Sequence, residues 1–215
     1  MQRAFGLTVA RTLQDICNPR DTALLVYDMQ VGIVRQLRDG AEITARVAEV
    51  LKLARGCGMR VIFTRHMSLP RELMGSFQYR TAMAWQRVDS VDQVEPWFLR
   101  DSPSFQIVPD LAPRPTEAIF DKITMSAFEG TPLTIALRDC AIRAVAIAGI
   151  ALEVGIEPTA RHAADLGFIP LLVADACGAG HEQAGRRSLD ALAFAGDTIT
   201  TSIEELRRLL LVPAE

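Results

Sequence analysis

The residues of this sequence best suited to chemistry fall at the ends of its apolar runs. Asp28 closes TALLVYD (22–28), Lys122 lies at the end of EAIFDKI (117–123), and Glu153 and Gly155 follow AVAIAGI (144–150). An aspartate so placed can move a proton, and a lysine can orient a substrate or stabilise developing charge. Glu153 can orient a water or meet a cationic group, and Arg65, in RVIFTRH (60–66), can pair a carboxylate bidentately. Each also has an ordinary role: an aspartate after a strand caps a turn, a strand-end lysine is solvated, and Glu153 pairs with Arg65 or Arg161. They gain weight together only if the fold brings these run ends to one place.

The pattern of elements implies that it does. TALLVYD, RVIFTRH, EAIFDKI, AVAIAGI and IPLLVAD (169–175) are apolar on both faces, as parallel strands covered on both sides are. A sixth run, DTITTS (197–202), is more polar and predicts an edge strand. Helical patterns separate the runs. EITARVAEVLKLARGCG ends in glycines suited to a C-terminal cap, GTPLTIALRDC offers Thr131 as N-cap with Pro132 at the first helical position, PTARHAADLG starts at proline and stops at glycine, and Ser202 and Glu205 have capping-box spacing. Strand and helix alternating in this way predict one α/β domain over 1–215, doubly wound, with ligands at the carboxyl ends of the strands. Residues 67–115 break the rhythm and hold both tryptophans and most of the prolines, which predicts an irregular segment that caps a site or makes an interface.

Composition narrows the function. A formal charge of −3 points to neither nucleic acid nor a membrane surface, and no apolar run reaches the roughly 18 residues of a membrane span. MQRAFGLTVARTLQD lacks a signal-peptide core, so the chain reads as cytoplasmic. Cys17, Cys57, Cys140 and Cys177 show no C-x-x-C pairing and no metal-ligand spacing, as expected of reduced thiols. His66 has no D-x-H partner pattern, and His162 and His181 read as surface or helix-face residues, so neither a catalytic metal nor a cofactor is expected.

LLVYDMQ, VIFTRH, DKITMSAFEGTPL, AIAGIALEVGIEPTARHAADLGF and LLVADACGA, in this order and spacing, resemble the isochorismatase-like hydrolases over essentially the whole chain. The resemblance implies a six-stranded parallel sheet with helices on both faces. Most of that family resemble one another in an Asp–Lys–Cys triad acting on amide-like C–N bonds, with the thiolate at a helix N-terminus. By motif position, Asp28 matches the aspartate and Lys122 the lysine, while the cysteine position falls on Gly155. None of the four cysteines is placed to substitute.

A second branch, the isochorismatases proper, is similar to this chain in carrying glycine there. In that branch the aspartate protonates the carbon of a vinyl ether and water captures the oxocarbenium ion. The resemblance therefore implies a hydrolase of a small, anionic molecule, with a vinyl ether favoured and isochorismate a candidate. The alternatives are an inactive binding paralogue, or a cysteine amidase whose nucleophile has been replaced by glycine. The resemblance also implies a cis peptide between Ile150 and Ala151 in an oxyanion-binding backbone. Gln30, Arg65, Tyr79, Arg80 and Trp85 are candidates for the pocket wall, and the aromatic ones serve equally well in the interface of a homo-oligomer, dimer or tetramer.

Overall fold

The computed structural model describes residues 2–211. Its eight strands are β1 (Gln2–Ala4), β2 (Leu7–Val9), β3 (Thr22–Tyr27), β4 (Arg60–His66), β5 (Ala118–Lys122), β6 (Ala144–Ile150), β7 (Ile169–Gly178) and β8 (Ile199–Thr201). The helices are α1 (Leu13–Ile16), α2 (Val31–Val34), α3 (Gly40–Gly56), α4 (Ser76–Gln86), α5 (Leu133–Asp139), α6 (Glu157–Asp165), α7 (Glu182–Ala195) and α8 (Ile203–Leu211). Strands β3 to β8 form one six-stranded sheet in the order β5–β4–β3–β6–β7–β8, and every pairing in it is parallel. This is the doubly wound α/β arrangement expected from the alternating pattern.

Both faces of the sheet are covered, and alternation along the strands assigns the side chains. Leu24 and Val26 of β3, Val61 and Phe63 of β4, and Ala146 and Ala148 of β6 pack with Val47, Val50 and Leu51 of α3 and Leu206 of α8. Ala23, Leu25 and Tyr27 of β3 and Val145 and Ile147 of β6 point the other way, onto Leu133 and Leu137 of α5, Ala160 and Ala163 of α6 and Leu192 of α7. A strand buried on two faces has no polar side to show, which is why these runs are continuously apolar. The third run, EAIFDKI, is the exception. β5 pairs only with β4, lies at the sheet edge and exposes Ile119, so its apolar sequence does not mark a central strand.

Chain order reverses at β3, which passes to β4 on one side and lies beside β6 on the other. This is the switch point where a doubly wound sheet opens a crevice at its carboxyl edge. Asp28 leaves β3 there and the turn containing Gly155 leaves β6 there. The 67–115 segment is more ordered than its composition predicts. It contains α4 and several 3₁₀ turns, and its Phe105, Val108 and Leu111 are buried. The N-terminal β1–β2 hairpin, whose residues are all exposed, has no counterpart in the sequence reading. No helix among the described residues is long and apolar enough to cross a membrane.

Candidate active site

Asp28 and Lys122 meet at the carboxyl edge as a buried pair, with Lys122 Nζ 2.6 Å from Asp28 Oδ2. The other carboxylate oxygen, Oδ1, accepts a bond of 2.7 Å from the hydroxyl of Thr64, and Thr64 Oγ1 in turn accepts from the Asp28 amide at 3.3 Å. Lys122 also donates to the carbonyl of Thr124 at 3.1 Å and stands 4.4 Å from the centroid of the Tyr27 ring. Asp28 has a φ of +46°, a left-handed conformation that aspartate and asparagine tolerate better than most residues. That turn swings the carboxylate from the end of β3 towards β5.

The loop after β5 is tied to α6, and this explains why their two motifs share one chain. The amide of Ala127 donates to Thr159 Oγ1 at 3.0 Å, and Ser126 Oγ lies 2.8 Å from His162 Nδ1. SAFEGT and PTARH therefore hold each other, and through them Lys122 is set against the segment that follows β6. That segment begins with the Ile150–Ala151 peptide in the cis form. A π-helical turn, Leu152–Ile156, then leads into α6, with the amides of Val154, Gly155 and Ile156 all directed at the carbonyl of Ala151 (3.3, 3.0 and 3.1 Å). Wide turns of this kind recur at functional sites.

Gly155 lies in this turn, buried against Tyr27. A Cβ built there would stand 1.9 Å from the Tyr27 hydroxyl oxygen, 2.4 Å from Cζ and 2.7 Å from Cε1. The Tyr27 hydroxyl donates a short bond to the carbonyl of Met125. Burial, reinforced by the charge of Asp28, pushes the phenol well above its ordinary pKa, so it remains protonated.

A cavity of about 380 Å³ opens over the pair. Its floor is Tyr27, Asp28 and Lys122, Ile150, Ala151 and Val154 form one side, and His66, Trp85, Trp97 and Phe98 form an aromatic wall joined by Met125. Gln36 and Arg87 add polar groups. Burial and then the Lys122 ammonium push His66 down to about 4, against the opposing pull of Asp28, so the imidazole is neutral at pH 7. Its ring lies edge-on to Trp85 and Phe98, with centroids 6.0 and 5.9 Å away. Among the described residues no group of three or more His, Cys, Asp or Glu could hold a metal ion, and this apolar setting of His66 does not fit one.

The isochorismatase domain matches residues 22–204. The chain belongs to the isochorismatase family. YecD of Escherichia coli O157:H7, an isochorismatase family protein, is 26% identical over 196 residues, covering 90% of this chain and 98% of the relative. Ureidoacrylate amidohydrolase RutB of Pseudomonas syringae pv. syringae (strain B728a) is 27% identical over 173 residues, covering 74% and 71%. The crystal structure of a cysteine hydrolase from Pseudomonas syringae pv. phaseolicola 1448A superposes with a TM-score of 0.75 at 26% identity, covering 89% of this chain and 93% of that one. The protein is a hydrolase of the isochorismatase family, built on that family's sheet.

Within this isochorismatase-family site the expected wall residues divide. Trp85, Ile150 and Ala151 line the cavity. Gln30 does not: it is buried, donates to the carbonyls of His66 and Phe105 at 3.0 Å each and accepts from the His66 amide at 2.6 Å, so its polar atoms are spent clamping backbone. Arg65 is turned away as well, because its alternate position on β4 faces Asp121 of β5. It pairs that carboxylate at 2.8 and 3.2 Å and lies 4.2 Å over the ring of Phe105. Glu153 accepts from the His181 amide at 2.8 Å through Oε1, bracing the loop before α7, while its buried Oε2 has no partner among the described residues. Tyr79 and Arg80 face a separate hollow beside α4.

The cysteines stay out of the site. Cys177 is buried in β7 and its thiol is pushed up by that burial, Cys17 is pushed up to about 12 for the same reason, and neither Cys57 nor Cys140 lines the cavity. Tyr27, Thr64 and Arg87 are what the sequence reading missed. A threonine inside the apolar run VIFTRH was a usable signal for Thr64. The nearness of Tyr27 to Gly155, 128 positions along, carried none.

Proposed function

We propose that this isochorismatase-family hydrolase cleaves a small anionic molecule through the Asp28–Lys122 pair, without a covalent thioester. The bond we favour is a vinyl ether, with isochorismate the first substrate to try. The observation that carries the reading is an intact, buried acid–base pair on the floor of a cavity that no cysteine lines. A proton passed across the 2.6 Å contact between the two groups serves as the acid. Delivered through Asp28 to the terminal carbon of the vinyl ether, it leaves an oxocarbenium ion. Water adds to that ion and returns a proton to the pair, and the hemiketal collapses to a ketone and an alcohol. Thr64 holds the carboxylate in line, and a neutral His66 beside aromatic walls keeps the site poorly hydrated. Arg87 and Lys122 are the cations available to an anionic substrate.

A second reading is hydrolysis of a C–N bond by water activated at Asp28, favoured by the relative named ureidoacrylate amidohydrolase. The exposed Leu73, Phe77, Trp85 and Trp97 of the 67–115 segment support the expected self-association. The test is a substrate panel of isochorismate and related vinyl ethers against small amides, run on the wild type and on Asp28→Asn. Vinyl ether turnover that falls by about 100-fold or more in the variant supports the proposal. Amide turnover alone establishes the second reading, and vinyl ether turnover within a few-fold of wild type in the variant refutes the assigned role of Asp28.

A further inference from the structure

We infer that Tyr27 is the residue that excludes a thiol from this site, and that Tyr27 and Gly155 are a matched pair in which the phenol fills the volume of a nucleophile. The hydroxyl oxygen and two ring carbons of Tyr27 stand within 2.7 Å of the Cβ that any other residue would carry at position 155. Contacts below 3.0 Å of this kind are relieved only if something shifts, and Tyr27 is held on several sides. Its backbone pairs with Gly149 of β6, which at φ +138° has no Cβ to collide with the Tyr27 carbonyl 2.1 Å from where one would stand. Its hydroxyl is bonded to Met125, and its ring is buried between the sheet and α6. Swinging the ring aside would break the Met125 bond and remove the surface under Lys122.

That surface gives Tyr27 a second part to play. The ammonium of Lys122 already meets one anion, Asp28, and the electron-rich face of the Tyr27 ring lies 4.4 Å from it. A cation is attracted to such a face. Tyr27 is thus a positioning residue: it steadies Lys122 from the side on which a thiolate would otherwise stand, and it pins the loop whose Thr124 carbonyl Lys122 also uses. On this account Gly155 is not simply a lost cysteine. Restoring the thiol requires shrinking residue 27 as well. The inference holds whichever bond the enzyme cleaves.

The test needs no substrate. Melting temperatures are compared for the wild type, Gly155→Cys, Tyr27→Val, Tyr27→Phe/Gly155→Cys and Tyr27→Val/Gly155→Cys, and iodoacetamide labelling of position 155 is followed by peptide mass spectrometry across pH. Mapping the peptide separates this site from Cys17, Cys57, Cys140 and Cys177. Gly155→Cys is expected to melt about 2–12 °C below wild type from overpacking, or not to fold. Tyr27→Val/Gly155→Cys should melt above the sum of its single changes. Its thiolate should displace iodide with an apparent pKa below the ordinary value of about 8.5, as expected near an ammonium. Tyr27→Phe/Gly155→Cys should recover only part of this, because Cζ and Cε1 remain in the way. A Gly155→Cys protein that melts with wild type and labels as fast as the double variant overturns the inference. So does a double variant that is no more stable than the sum, or that fails to fold when Gly155→Cys also fails.

Discussion

Replacing Lys122 by methionine keeps most of the side chain's length and deletes its charge. The two side chains of the pair are 1% and 5% exposed, so the Asp28 carboxylate would be left buried with Thr64 as its remaining side-chain donor. Removing one partner of such a pair costs about 3–5 kcal/mol. In a chain of this size each kcal/mol moves the melting point by about 2–4 °C, so Lys122→Met should melt about 6–20 °C below wild type at pH 7. Asp28→Asn approaches the pair from the other side with little backbone penalty, because asparagine accepts the +46° φ and can still accept from Thr64. Asp28→Asn/Lys122→Met leaves neither charge stranded and should be more stable than the sum of the two losses by at least about 2 kcal/mol. The assay is urea unfolding monitored by circular dichroism for the four proteins, in low salt and in roughly 1 M salt, where a surface pair would be screened and a buried one would not. Losses that add to within about 0.5 kcal/mol, or a coupling abolished by salt, would refute the account of a desolvated pair.

Two further outcomes follow from neighbouring groups. His66 is held neutral down to about 4 instead of its ordinary 6.5, so between those values the unfolded chain binds a proton that the folded one does not. The associated stability is complete above about pH 6.5 and is lost as the pH falls through this window, by at most roughly 3 kcal/mol, and less to the extent that solvent reaches the ring. Unfolding of His66→Phe and wild type at pH 7 and pH 4.5 measures this, and equal losses in both proteins would overturn it. Gln30→Leu strips three bonds from the buried backbone at His66 and Phe105 and should destabilise the fold by at least about 2 kcal/mol in the same urea assay. A change under about 0.5 kcal/mol would show that water replaces the clamp.

The isochorismatase-family sheet was legible because strands buried on both faces must be apolar throughout, and because helix caps use few residue types. Ser202 and Glu205 exchange the two bonds of a capping box, whereas α5 starts one residue later than expected, with Pro132 in place of Thr131 at the N-cap, although Thr131 still accepts from the Leu133 amide. Where the sequence misled, a local signal had several spatial outcomes. Ile119 is apolar in an edge strand because apolarity reports composition and not position in the sheet. Arg65 ends on Asp121, not in the cavity, because alternation along β4 decides the face and pairing with β5 supplies the partner. Arg87 reaches the cavity from the end of α4, a helix inside a segment that its prolines had marked as irregular.

The sequence alone determined the fold class, the strand ends that carry Asp28 and Lys122, and the glycine at position 155, because each is written in residue type and spacing along the chain. The tertiary structure decided what surrounds that glycine. Tyr27 and Gly155 lie 128 positions apart, and their contact exists only because β3 and β6 are neighbours in the sheet and the turn after β6 folds back over the end of β3. Local sequence carries period and propensity, whereas a steric exclusion between two strand ends arises only when packing brings them within van der Waals reach.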